Sequence, residues 1–402
     1  MLDNRYISVK YFKYAFQRRI AMDFDWTFFI DVGLIGLALL FATFLRAKIR
    51  FFQRFLIPNA LTAGFILLPV YNFVLPAIGL GVNGLGELVY HLLNISFIAM
   101  TLRKSPPKAN KGNGSIFATS VAILSQYAIQ ALTGLLLTFL FIKTIAPGLF
   151  PAFGFALPLG FALGPGQAFA IGQGWESFGF KGGSSVGLTF AALGYLWACF
   201  GGIFLINYGI KKDWMSEEGK AELKDKGLLT GVLDRNAKLP VGSRLTTDTE
   251  AIDSLSYHVA MVLFVYLLSY LFLKGLTFLL SFAGKLGTDL ATNLWGINFI
   301  FSTLTALVVK AVLKAIKVDY TLDNETLSRI SGFSVDFMVA GSIAAISLVF
   351  VSEYWLPIVI ASIIGGILTT ITVPWICSRI FVDNRFARMP MIYGVSTGTL
   401  ST

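Results

Sequence analysis

Residues 257–282 read YHVAMVLFVYLLSYLFLKGLTFLLSF, and Lys274 is their one charged side chain. A helix needs about 20 apolar residues to cross a hydrocarbon core about 30 Å thick. The rest of the chain has the same character, because 55% of its 402 residues are hydrophobic and only 13% are charged, against about 25% charged in soluble domains. The sequence therefore predicts an all-α polytopic membrane protein.

Similar apolar blocks recur on both sides of one polar stretch. The predicted spans are 26–45, 56–78, 85–101, 116–141 and 186–210 in a first membrane repeat, 26–210, and 257–282, 294–313, 332–351 and 354–377 in a second, 257–402. Residues 211–256 hold 17 charges of nearly balanced sign and are predicted to form a linker. Residues 1–25 mix five basic side chains with aromatic ones, a pattern typical of an interfacial amphipathic segment.

Two apolar segments are interrupted by proline and glycine. Residues 152–175 read AFGFALPLGFALGPGQAFAIGQGW, and a second broken segment begins at Pro390 and contains Gly394 and Gly398. A helix so interrupted is tolerated at membrane depth where it is buried in protein or lines a cavity. We therefore expect each repeat to carry one re-entrant hairpin.

The distribution of Lys and Arg predicts the orientation. The loops on one side of the predicted spans hold 15, those on the other side hold three, and the N-terminal segment adds five to the poorer side. Basic loops mark the cytoplasm, so we expect the N-terminus outside and the linker inside. Five crossings in each half predict an inverted repeat, and residues 95–99 align weakly with 335–339.

The interruptions are also the predicted substrate site. A helix that begins within the membrane offers free amide groups to a carboxylate, and released carbonyl groups can coordinate a cation. The candidate substrate residues are Gly164, Gly166 and Gln167 in the first segment and Thr397, Gly398 and Thr399 in the second. The alternative interpretation of either segment is a kink between packed helices.

A second set of residues is predicted to bind the coupling ion. Asp336 lies within a predicted span, where a carboxylate is costly unless it has a function or a partner. Its counterpart in the internal alignment is Ser96, which lies beside Asn94. The alternative is that a protonated Asp336 donates an interhelical hydrogen bond. Gln126 and Gln130, one helical turn apart, fit a site or helix packing equally well.

Other function classes find little support in the sequence. No paired carboxylates, metal-ligand cluster or nucleophile and base are evident, so we expect no enzyme, no metal centre and no cofactor. The net charge of +10 comes from basic residues in short loops, which favours a lipid bilayer over nucleic acid as the partner.

The order of elements and one motif resemble the bacterial sodium/glutamate symporter family. The motif is Gly164-Pro165-Gly166-Gln167 followed by Gly172, Trp175, Phe178 and Gly179-Phe180, with Ile57-Pro58 and Gly201-Gly202 elsewhere. The resemblance implies two inverted five-helix repeats, hairpin tips that bind substrate and sodium, an elevator-like motion and a homodimer. It also implies the bacterial cytoplasmic membrane as the location.

The chain departs from that family in two places. The family's first hairpin usually reads Gly-His-Gly-Thr, whereas Pro165 and Gln167 stand here, and the last span of the second repeat has no counterpart before Thr402. A truncated chain and a different closure of the second repeat both fit. We expect sodium-coupled symport of glutamate or a related small carboxylate. The alternatives are a proton- or cation-coupled carrier of another organic anion, and a membrane scaffold or sensor that transports nothing.

Overall fold

The protein is all-helical where its structure is described. The computed structural model describes residues 26–77, 83–104, 114–215, 219–220, 223, 225–237, 240–381 and 385–398, and every regular element in them is a helix. Eight of these helices are long and apolar enough to cross a membrane. The chain is therefore a multi-pass membrane protein.

The helices of the first half follow the predicted spans closely. They are α1 (Thr27–Lys48), α2 (Arg50–Arg54), α3 (Asn59–Pro69, continued by Val70–Val74 and Leu75–Ala77), α4 (Asn83–Leu102), α5 (Gly114–Lys143), a first arm (Phe153–Leu163), α6 (Pro165–Glu176) and α7 (Gly183–Lys211). Each predicted span of this half coincides with a helix because each is a single apolar block.

The helices of the second half differ more from the prediction. They are α8 (Lys226–Thr230) in the linker, then α9 (Ser254–Ser281), α10 (Gly284–Gly296), α11 (Asn298–Ala315), α12 (Asn324–Ala344), α13 (Leu348–Ile380) and α14 (Arg385–Thr397). The predicted boundary between 351 and 354 was wrong, since α12 and α13 meet at 345–347. The predicted start of a span at 294 was also wrong, because α10 ends at Gly296 before α11 begins.

Polar groups of distant helices create the break between α12 and α13. The Asn72 side chain donates to the carbonyl of Ile346 (2.9 Å) and accepts from the amide of Leu348 (3.0 Å). The amide of Ser347 donates to the Ser185 hydroxyl at 3.2 Å. These bonds satisfy backbone groups that leave the helix, so the chain turns at residues 345–347, where neither proline nor glycine is present.

Helix α12 lies at the centre of the protein, antiparallel to α4. The Ser96 and Ser331 hydroxyls are 3.0 Å apart, and at one end the Asn324 side chain exchanges two hydrogen bonds with the backbone of Lys104. A Cβ on Gly64 of α3 would lie 2.7 Å from the Cβ of Ile343. Helix α12 is not among the eight apolar spans, because its serine and charged side chains make it less apolar than the others.

The start of α12 is held by Asp323. Its carboxylate accepts hydrogen bonds from the amide and hydroxyl of Thr326 and from the amide of Arg244 in the linker. Burial raises the pKa of Asp323, but these bonds and the nearby His258 outweigh it and hold the pKa below its ordinary value. The His258 ring accepts from the Asp323 amide at 2.8 Å. Asp323 thus joins the linker, α9 and α12.

The second broken segment is a continuous helix in the structure. Helix α14 runs through Pro390 and Gly394 to Thr397, and the Gly398 amide donates to the Gly394 carbonyl at 2.7 Å. The prediction that this segment is interrupted was therefore wrong for its residues up to Gly398. The N-terminal segment 1–25 and residues 399–402 lie outside the described residues. The inverted repeat and the re-entrant path of the hairpins stay predictions.

Candidate functional site

Gly164 makes the one abrupt turn between the first arm and α6. Its φ of 89° and ψ of 174° lie in a region that is essentially restricted to glycine. The first arm ends at Leu163, and Pro165 follows at the first position of α6, where a missing N–H group costs nothing. The predicted break at Gly164 is therefore present, and α6 begins at this point inside the protein.

A cavity of about 450 Å³ lies in front of this break. Its walls come from α4, α12, the Gly164–Gln167 tip, Tyr127 of α5 and Val395 of α14. The polar side chains that line it are those of Ser96, Arg103, Tyr127, Gln167, Ser328 and Ser331. Interfaces between well-packed helices leave few voids larger than a water molecule, so a cavity of this size is a distinct feature of the fold.

The cavity has a buried floor and an exposed mouth. Leu93 and Gln167, at the tip, are 3% and 5% exposed, whereas Met100 is 41% exposed and Arg103 is exposed as well. Leu93 and Arg103 are ten residues apart in sequence, which corresponds to about 15 Å along a helix. The cavity therefore extends along α4 from Arg103 at its mouth to the tip at its floor.

Gln167 is the unusual side chain of the floor. Its amide oxygen is fully buried and has no hydrogen-bond partner, although a side-chain amide offers two donors and two acceptor lone pairs. The backbone amides of Gly166 and Gln167 precede the first intrahelical bond of α6, in which Ala168 donates to Gly164 at 3.1 Å. The floor thus combines a helix N-terminus with an unsatisfied buried amide.

Gly166 serves packing as well as access. A Cβ at this position would lie 2.8 Å from Cδ1 of Leu93 and 3.0 Å from the sulfur of Met338. The glycine therefore lets α6 begin in close contact with both α4 and α12. A larger residue at 166 would push these helices apart, so it would disturb the fold along with the cavity.

The structure brings together only part of the predicted substrate residues. Gly164, Gly166 and Gln167 line the cavity. Thr397 is buried and donates to the Tyr393 carbonyl at 2.7 Å, and Gly398 is also buried, but neither lines the cavity. Thr399 lies outside the described residues. Helix α14 contributes Val395 instead.

The predicted ion residues are separated from one another. Ser96 lines the cavity, whereas the Asn94 oxygen accepts a hydrogen bond from Ser302 at 2.8 Å in a buried row that continues to Ser269 and Asn298. Asp336 follows the cavity residue Val335 on α12, is exposed, and does not line the cavity. Of the three, Ser96 alone is at the cavity.

Several lining residues were missed from the sequence. Arg103 was counted as a loop charge, Tyr127 as part of an apolar block, and Ser328 was assigned to a loop. The spacing of Ser328, Ser331, Gly332 and Val335 was an available signal, because it places them on one face of a helix. Only the extension of α12 back to Asn324 makes that face continuous.

Comparisons of the chain with protein-family models, with curated proteins and with solved structures found no match. The function proposed below therefore rests on the geometry of the cavity.

Proposed function

We propose that the protein is a secondary active transporter that carries a small carboxylate, and that the cargo binds in the cavity before the Gly164 break. The observation that carries the proposal is the floor of this cavity. There the N-terminus of α6 and the side chain of Gln167 line a space of about 450 Å³.

A ligand site accounts for these features better than a packing kink does. The start of α6 and the side-chain amide of Gln167 both bring N–H donors to the lining of the cavity, which packing alone does not require. The volume falls within the range of about 300–1,000 Å³ typical of small-molecule sites. An interrupted helix between spans is also a recurrent way to build a transporter site.

The electrostatics of the cavity favour an anion. The N-terminus of α6 carries a partial positive charge and free amide groups. Arg103 at the mouth adds a full positive charge, and no acidic side chain is among the described residues that line the cavity. A carboxylate can therefore be attracted at the mouth and bound at the floor.

The coupling ion and the wider setting follow from the resemblance described above. We propose sodium as the coupling ion, with Asp336, which follows the cavity residue Val335 on α12, as its first candidate ligand, and a homodimer in the bacterial cytoplasmic membrane with the linker inside. A proton-coupled carrier is the alternative. Glutamate and a different organic anion are the two cargo classes that the proposal admits.

Uptake by the purified full chain in liposomes tests the proposal. We expect labelled carboxylates to accumulate when a sodium gradient is directed inward, and not when potassium replaces sodium. Accumulation driven only by a proton gradient would identify the alternative coupling. Binding of a carboxylate without uptake under either gradient would contradict transport and favour a sensor.

A further inference from the structure

We infer that the cargo is a monocarboxylate with an apolar body rather than glutamate. The inference rests on the proposed function, because it concerns the ligand of the same cavity. It follows from two properties of the lining, which are its charges and the chemistry of its walls.

The charges of the lining leave an ammonium group without a partner. Of the side chains that the structure describes around the cavity, only Arg103 is charged, and the N-terminus of α6 is also positive. An amino acid would place its ammonium group in this positive field, and a charge buried without a partner is strongly destabilising. A carboxylate without an amino group avoids this cost.

The walls between the two ends are apolar. Leu93, Phe97 and Met100 form a stripe on α4, and Val335 and Met338 face the cavity from α12. Their spacing of three or four residues keeps each set on one helix face. Such walls favour an aryl or alkyl group, since burying apolar area contributes about 25 cal/mol per Å². Methionine also adapts its shape to different apolar groups.

The floor offers a defined seat for the one carboxylate. The amides of Gly166 and Gln167 have no intrahelical acceptor, and Gln167 adds its side-chain amide group. Hydrogen bonds from several fixed N–H groups to one carboxylate are charge-assisted and stronger than neutral ones. The apolar body would then point along α4 towards Met100 and Arg103.

Binding of four related probes to the detergent-purified full chain tests the inference. The probes are 3-phenylpropionate, phenylalanine, phenethylamine and glutamate, and calorimetry in sodium buffer gives the dissociation constants. We expect 3-phenylpropionate to bind at least about tenfold more tightly than phenylalanine, because phenylalanine adds only the unpartnered ammonium group. Phenethylamine and glutamate should bind more weakly still.

Matched variants locate the site. Gln167→Leu should weaken binding of 3-phenylpropionate at least about tenfold. Gln126→Leu, which changes a glutamine that is equally buried but lies outside the cavity, should leave binding unchanged if the variant folds. Arg103→Ala should weaken binding less than Gln167→Leu, since Arg103 is exposed at the mouth.

Binding results that differ from these expectations contradict either the inference or the proposed site. Tighter binding of glutamate or phenylalanine than of 3-phenylpropionate overturns the inference and leaves the transporter proposal intact. If Asp336→Asn then abolishes that preference, Asp336 is the partner of the ammonium group. Absence of binding by all four probes overturns the inference and the proposed site together. Equal effects of Gln167→Leu and Gln126→Leu place the ligand outside the cavity.

Discussion

The two segments rich in proline and glycine have similar compositions and different structures. The first breaks at Gly164, where the backbone adopts a conformation restricted to glycine, and starts a new helix inside the protein. The second stays helical through Pro390 and Gly394. Composition thus marks where a helix can break, and the surroundings decide whether it does.

Hydrogen-bond partners explain part of this difference. At the end of α14 the Gln130 side chain donates to the carbonyl of Ser396 (2.8 Å) and to the Thr369 hydroxyl (2.9 Å). The carbonyl of Ser396 is therefore satisfied by the protein itself, although the Gln130 amide oxygen and the Ser396 hydroxyl are buried without a partner. At the start of α6 the amides of Gly166 and Gln167 face a cavity instead. The first segment thus borders a cavity where its second helix begins, whereas the described part of the second segment packs against α5 and α13.

The largest effect on uptake should come from replacing Gly164 of the first segment by alanine, and Gly394 of the second segment provides the comparison. Gly164→Ala forces a non-glycine residue into a strained conformation that costs about 1–3 kcal/mol, so we expect carboxylate uptake in liposomes to fall at least about tenfold. Gly394→Ala is the matched control. Its Cβ would have no atom within 4 Å, and alanine favours a helix, so uptake and thermal stability should be preserved.

The reverse ranking of these two variants would break the comparison. If Gly394→Ala abolishes uptake while Gly164→Ala retains it, the functional interruption lies in the second segment and the cavity floor is misassigned. Thermal unfolding in detergent, measured on both variants, separates loss of function from loss of folded protein.

A smaller effect is expected where the second segment is held. Gln130→Leu removes the donor to Ser396 and leaves a buried carbonyl unpaired, which should destabilise the protein by about 1–3 kcal/mol. Ser120→Ala on the same helix removes one exposed, local hydrogen bond and should change little. Equal stability of the two variants in thermal unfolding would show that Gln130 does not hold α14.

The first segment packs on α12, so weakening the start of α12 should affect stability by a smaller amount. Asp323→Ala removes the cap of this helix, and such a loss costs about 1 kcal/mol.

The stabilisation by Asp323 should depend on pH. Because the pKa of Asp323 is lowered in the folded protein, its contribution to stability is present above the ordinary aspartate pKa of about 4. That contribution is lost as the pH falls through the lower folded-state pKa. The difference in melting temperature between native protein and Asp323→Ala should therefore shrink in acid, and a constant difference would contradict this role.

The smallest effect should come from Pro390→Ala. If α14 is a continuous helix, alanine restores an N–H donor and removes a steric conflict, so stability should be unchanged or slightly higher and uptake preserved. A loss of uptake at unchanged stability would show that Pro390 maintains a functional interruption. Measurement of both quantities on one preparation decides between these readings.

The sequence predicted the fold best where one apolar block makes one helix. The spans 26–45 and 116–141 correspond to α1 and α5 because hydrophobicity alone fixes them. The prediction of a helix boundary failed between α12 and α13, because the break there is stabilised by hydrogen bonds from Asn72 and Ser185, which belong to other helices. A single sequence does not show which distant side chain will satisfy a given carbonyl.

The same limit applies to the cavity. The tip was predictable because Gly164, Pro165 and Gly166 disturb any helix on their own. Arg103 was not, because its role depends on the antiparallel pairing of α4 with α12. Gly394 misled the prediction, since glycine permits a break without requiring one.

Protection of an introduced cysteine tests most directly whether the cavity before Gly164 is the ligand site. In a background with Cys199 and Cys377 replaced by alanine, Met100→Cys places a thiol at the cavity mouth and Met391→Cys places one on α14 outside it. The native residues are similarly exposed, at 41% and 47%. We predict that 3-phenylpropionate or glutamate, whichever binds more tightly, slows maleimide labelling at 100 and not at 391. Equal labelling rates at 100 with and without the bound carboxylate would contradict the account.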